Sequence, residues 1–222
     1  MIGLLPLLWQ HLRREWTLQL RQKKSWVNSW LLFTMILLFF PMTLPADPQL
    51  ERLILPGLVW IALLFANLLA AERLFQVDYD EGVIELWIIS GQPLSIMIAA
   101  KVFIHWGLTL VPLLGLVPMI AGLFNLPWYG AEALAESLLC GTLPIMLLSA
   151  LAAAYSTLLP QKGILMGLVV LPLILPLLIL GSATTTAAMA MQPVGAYLAY
   201  LGALSCLTLA TIPLAIAAVM KP

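Results

Sequence analysis

Residues 94–123 read LSIMIAAKVFIHWGLTLVPLLGLVPMIAGL, a run with one lysine, one histidine and no carboxylate. About 20 apolar residues suffice for a helix to cross a bilayer's hydrocarbon core, so this run is read as a membrane span. Pro112 and Pro118 lie inside it, which lipid-exposed backbone tolerates only when neighbouring helices supply substitute partners. Working outward, similar runs occur at about 26–44, 53–71, 134–159, 164–183 and 194–220, giving six spans. Composition agrees: of 222 residues, 63% are hydrophobic and 9% charged, with a mean hydropathy of +1.05. Soluble domains carry about 25% charged residues, so a globular protein in water is excluded. The expected fold is all-α, with no sizeable domain outside the membrane.

The first residues, MIGLLPLLWQ, are apolar, but Arg13, Arg14, Arg21, Lys23 and Lys24 follow them rather than precede them. That order is the reverse of a signal peptide. At 100° per residue Leu5, Leu8, Trp9, Leu12, Trp16 and Leu20 share about a third of the circumference, opposite Gln10, Arg14, Thr17 and Arg21. The segment is therefore read as an amphipathic interfacial helix whose basic face meets lipid phosphates or a partner; a simple orienting anchor is the plainer reading. From a cytoplasmic N-terminus, six spans place Arg13, Arg14, Arg21, Lys23, Lys24, Arg73, Lys101, Lys162 and Lys221 inside, and only Arg52 outside. The positive-inside rule thus supports six spans with both termini cytoplasmic.

Several chemistries are missing. There is no GxxxxGK[ST] phosphate loop, no HExxH and no Ser/His/Asp set. Cys140 and Cys206 read as packing residues rather than a redox or metal pair. No carboxylate falls near a span centre, which counts against an ion-coupled carrier. With ten basic and ten acidic residues, nothing suggests nucleic acid. The chain is expected to be non-catalytic, with no cofactor or metal of its own.

What polar character exists is concentrated between the second and third spans. Asp78, Asp80, Glu81 and Glu85 lie close together, Gly82 offers a turn, and VIELWII is long enough for two helical turns before SGQP. Beside the plain reading, a solvated loop, stands a docking element in which Val83, Leu86 and Trp87 are apolar anchors and the carboxylates complement a basic partner. Lys101 and His105, four residues apart, share one face of the third span. Lys101 is expected to snorkel or to pair with Glu72, beside Arg73 at the adjoining helix end. His105 is read as structural, the alternative being an axial haem ligand. His11 is given no role.

Glu72-Arg73-Leu74-Phe75, then Asp78, Gly82 and Glu85, then Pro93-Leu94, Ala100-Lys101 and His105-Trp106 resemble the haem exporter protein B (CcmB) family of bacterial cytochrome c maturation. Pro56-Gly57-Leu58-Val59-Trp60, the run LPLILPLLI and Tyr197-Leu198 with Leu201-Gly202-Ala203-Leu204 are similar to the same family. Glu81 stands where that family's pattern is expected to have Asp, which keeps the charge. The resemblance implies an ABC-exporter-type permease subunit of the bacterial inner membrane. ATP would be hydrolysed on a separate ATPase, CcmA, and haem handled by a complex with CcmC, CcmD and the chaperone CcmE. It also implies a homodimer, and a role in releasing haem-loaded CcmE. The alternatives are a generic ABC exporter permease for a lipid or other hydrophobic substrate, and a pore needing no ATPase. The expected organisation is an interfacial helix over 1–24, carrying Trp9, Arg13, Arg14, Trp16 and Arg21. A six-helix transmembrane domain over 25–222 follows, with a cytoplasmic coupling segment at about 76–93 (Asp78, Asp80, Glu81, Gly82, Val83, Glu85, Leu86, Trp87).

This topology is checked with single cysteines at Gln92, Gln161 and Gln192 in a background lacking Cys140 and Cys206. An impermeant thiol reagent added outside is expected to label only position 192; labelling at 161 would sink the six-span arrangement.

Overall fold

A computed structural model describes residues 4–21, 23–45, 47–158 and 162–221. Gln161 therefore lies outside the described residues. The helices are α1 (Leu4–Arg21), α2 (Lys23–Phe39), α3 (Pro48–Ala71), α4 (Gln76–Asp80), α5 (Val83–Ile89), α6 (Leu94–Leu123), α7 (Trp128–Leu158), α8 (Lys162–Met189) and α9 (Gly195–Met220), with a 3₁₀ turn at Pro41–Thr43 after α2. Six of these segments are long and apolar enough to cross a membrane. At 1.5 Å per residue the 30 residues of α6 extend about 45 Å. A hydrocarbon core is roughly 30 Å thick, so α6 is long enough to cross it with length to spare for tilt.

Two span boundaries differ most from the sequence reading. The fourth span begins at Trp128 rather than near residue 134, because Pro127 has no N–H to lose and its carbonyl accepts from the amides of Gly130 and Ala131. The fifth continues to Met189, through the ATTTAAM stretch expected to be a loop. Ser182, Thr184 and Thr186 donate their hydroxyls to the carbonyls of Ile179, Leu180 and Ser182. Their polarity is thereby absorbed within the helix. The chain then turns at Met191, whose φ is 57°.

Helix α7 is the hub, packing on α3, α6, α8 and α9 and buried along most of its length. Ala150 and Ala154, a small-xxx-small pair, are fully buried in it. Such residues let backbones approach where lipid supplies no hydrophobic drive. Polar side chains add to this. Asn67 of α3 donates to Ser149 Oγ (2.8 Å), Trp106 Nε1 of α6 to Thr142 Oγ1 (2.8 Å), and Ser205 of α9 to the Cys140 carbonyl.

The tightest fit is around Trp60 of α3, which is fully buried. Its indole lies against Gly141 of α7, where a Cβ would stand 2.5 Å from Cη2, and more closely still against Gly181 of α8. Neither position has room for a methyl, and the indole is rigid. Gly181→Ala is expected to destabilise the bundle by about 1–3 kcal/mol, the usual cost of overpacking. Adding Trp60→Phe, which removes the crowded ring and a buried indole N–H without a partner, is expected to restore much of it. Thermal unfolding in detergent checks both; an unchanged transition in the single variant would refute the close packing.

Candidate functional site

Between α3 and α6 the chain forms a two-helix elbow, α4 and α5. Leu74 and Phe75 are buried and pin its start. Gly82 makes the corner with φ 69°, a conformation in which a Cβ is strained. After α5, Ser90 Oγ donates to the Trp87 carbonyl (2.7 Å), Gly91 again has positive φ, and Pro93 leads into α6.

The elbow has two faces. Outward are Tyr79, Asp80, Glu81, Glu85, Leu86 and Ile89, the last two 64% and 80% exposed. Inward are Asp78, Ile84 and Trp87, the tryptophan only 5% exposed. This corrects two expectations. Trp87 is packed in the chain's own core rather than presented to a partner, because α5 is apolar on both sides and its Ile84/Trp87 pair is the one that meets the bundle. Asp78 is likewise turned inward. Val83 and Gly82 are half-buried, while Glu72 and Arg73 are exposed.

Asp78 is held by Lys101. The Lys101 ammonium lies 2.6 Å from Asp78 Oδ2 and 3.4 Å from Glu15 Oε2 of α1, all three residues being at least nine-tenths buried. Lys101 therefore pairs with Asp78 and Glu15 rather than Glu72. A buried ammonium is costly unless paired, and two carboxylates brought from separate elements compensate it. Around this trio, Gln19 Nε2 donates to the Lys101 carbonyl (3.1 Å), which orients the amide. Its Oε1 then accepts from His105 Nδ1 (2.9 Å). Trp26 Nε1 donates to the Gln19 carbonyl (3.2 Å), and His11 Nε2 lies 3.0 Å from Gln92 Oε1. His11, given no role from sequence, thus helps fasten α1 to the start of α6.

The inward face of α1 is consequently polar: His11, Glu15 and Gln19 recur every four residues, with Glu15 and Gln19 buried. That ladder was readable in the sequence but was masked by the stronger leucine and tryptophan periodicity. Arg13, Arg14, Trp9, Trp16 and Arg21 all face outward. Among the described residues, no three His, Cys, Asp or Glu side chains converge in a way that could hold a metal ion. One ammonium thus links the N-terminal helix, the elbow and α6.

Fold and site together define a multi-pass α-helical membrane protein with a charged joint at one end of its bundle. Residues 7–222 match the family described as CcmB protein. The chain belongs to that family. Relatives named "Heme exporter protein B" include that of Pseudomonas aeruginosa, 37% identical over 210 residues covering 95% of this chain and 94% of the relative. That of Escherichia coli strain K12 is 37% identical over 213 residues, 96% and 97% of the two chains. The Haemophilus influenzae protein is 36% identical over 210 residues, 95% of each.

Lys101→Met is expected to cost about 3–5 kcal/mol, since it strands two buried carboxylates. The charge-free combination Glu15→Gln, Asp78→Asn, Lys101→Met is expected to recover most of that loss. Thermal aggregation of the purified chain reads both, and a single Lys101→Met variant as stable as the parent would contradict the pairing.

Proposed function

We propose that the chain is the membrane permease subunit of an ABC-type complex in cytochrome c maturation. It sits in the bacterial inner membrane with both termini cytoplasmic and works as a homodimer. ATP hydrolysis by a separate ATPase, CcmA, is transmitted through it to release of the haem-loaded chaperone CcmE, alongside CcmC and CcmD. The relatives' name, a haem exporter, supports the assignment to haem handling. The sequence lacks a phosphate-binding loop, which is why the ATPase is assigned to another chain.

The observation that carries the reading is the elbow. Its outward face combines exposed Leu86 and Ile89 with Asp80, Glu81 and Glu85, while Asp78 on its inward face is ion-paired to Lys101 of α6. A force applied outside is thereby delivered to a membrane-crossing helix. A groove of about 310 Å³ lies between the elbow and the ends of α7 and α9, lined by Ile84, Ile88, Ala154 and Met220. Binding is expected to rest on the apolar pair, because exposed ion pairs contribute only about 0–1 kcal/mol each. His105, bonded to Gln19, fits a structural role in this arrangement, with haem handled elsewhere in the complex.

Retention of the ATPase on the immobilised permease, read with cytochrome c yield in cells, tests this. Leu86→Ala with Ile89→Ala is expected to lose the ATPase at any salt, at about 1–2 kcal/mol per anchor. Glu85→Lys is expected to weaken retention most at low salt. Trp87→Ala is expected to act through loosening of the elbow, lowering yield and stability together. Full retention and yield in the Leu86/Ile89 and Glu85 variants would place the contact elsewhere.

A further inference from the structure

Helix α1 presents three sectors. His11, Glu15 and Gln19 face α6. Trp9 and Trp16, seven residues apart and so on one side of the helix, are 69% and 46% exposed. Arg13 is exposed next to them, and Arg14 and Arg21 are exposed further round the helix; among the described residues none of the three forms an ion pair. Glu15 is the one carboxylate in α1, and it is drawn inward onto Lys101. The outward surface of the helix therefore carries arginines with no acid to offset them.

We propose that this surface binds anionic phospholipid, with Arg13, Arg14 and Arg21 on headgroup phosphates and Trp9 and Trp16 at the acyl boundary. Charge complementarity selects the occupant, because guanidinium groups bind phosphate through paired N–H donors. The neighbouring tryptophans select lipid over an acidic protein, since amphipathic rings favour the membrane–water boundary and α1 packs on a helix that crosses the membrane. The exposed acids at this end of the bundle, Glu72 at the end of α3 and Asp80, Glu81 and Glu85 on the elbow, lie off α1, so the two surfaces recruit partners of opposite charge. The proposal goes beyond orientation during insertion: the folded protein holds lipid on a defined face, whether or not an ATPase binds the elbow.

The test uses the full chain in mild detergent with equal phosphatidylglycerol and phosphatidylcholine, bound lipid being counted by native mass spectrometry. Phosphatidylglycerol is expected to be enriched about tenfold or more, given a gain of roughly fivefold per basic residue near an anionic surface. Arg13→Gln with Arg14→Gln and Arg21→Gln is expected to bring the ratio to about parity, and the corresponding lysine variant to keep most of the preference. Where the glutamine variant does not fold, chain-brominated lipids in nanodiscs serve instead. Quenching that is lost in Trp9→Phe with Trp16→Phe is expected to be stronger with brominated phosphatidylglycerol than with brominated phosphatidylcholine. Equal binding of both lipids by the parent chain would overturn the proposal. So would a preference that survives the glutamine variant while a protein partner is lost.

Discussion

The ammonium of Lys101 is the constraint on which this end of the molecule depends. It sits, at 8% exposure, on a helix with no other Asp, Glu, Lys or Arg, where an unpaired charge would cost several kcal/mol. Its partners come from elsewhere in the chain, Asp78 from the elbow and Glu15 from α1. Three elements, α1, the elbow and α6, therefore meet at one point. Gln19 and His105 extend the joint one turn further along α6, and His11 with Gln92 closes it at the other side.

Helix existence was legible in the sequence to a large extent, because apolar runs of span length have few alternative fates. Residues 94–123 form α6 with the boundaries read from sequence, and the last span starts one residue later than expected. The misses at α7 and α8 arose where small or hydroxylated residues, Gly130 and the pair Thr184 and Thr186, look like loop yet bond within a helix. In the elbow, the helix and its Gly82 corner were legible, but its orientation was not. VIELWII offers apolar groups on both sides, and only tertiary packing decides that Trp87 goes in and Leu86 stays out. The partners of Lys101 were equally hidden, since sequence proximity pointed to Glu72 and the fold delivered Asp78 and Glu15.

The outward and inward groups of the elbow divide the proposed work. Leu86, Ile89 and Glu85 are exposed to the proposed partner, whereas Asp78, Ile84 and Trp87 hold the elbow to the bundle. Packing then carries displacement inward: α6 lies against α7, and α7 meets α3, α8 and α9 across fits as close as Trp60 between Gly141 and Gly181. A close-packed hub of this kind transmits a shift rather than absorbing it. In the two proposals, the opposite charges of α1 and the elbow assign the same end of the molecule to lipid and to protein.

The most direct test is a density map of the chain in a lipid nanodisc that resolves the Lys101 side chain. Lys101 Nζ within 4 Å of carboxylate oxygens from both Asp78 and Glu15 is the predicted result. A Lys101 side chain extended to the lipid headgroups, with Asp78 and Glu15 turned to water, would contradict it and leave the elbow without its ionic tie to α6.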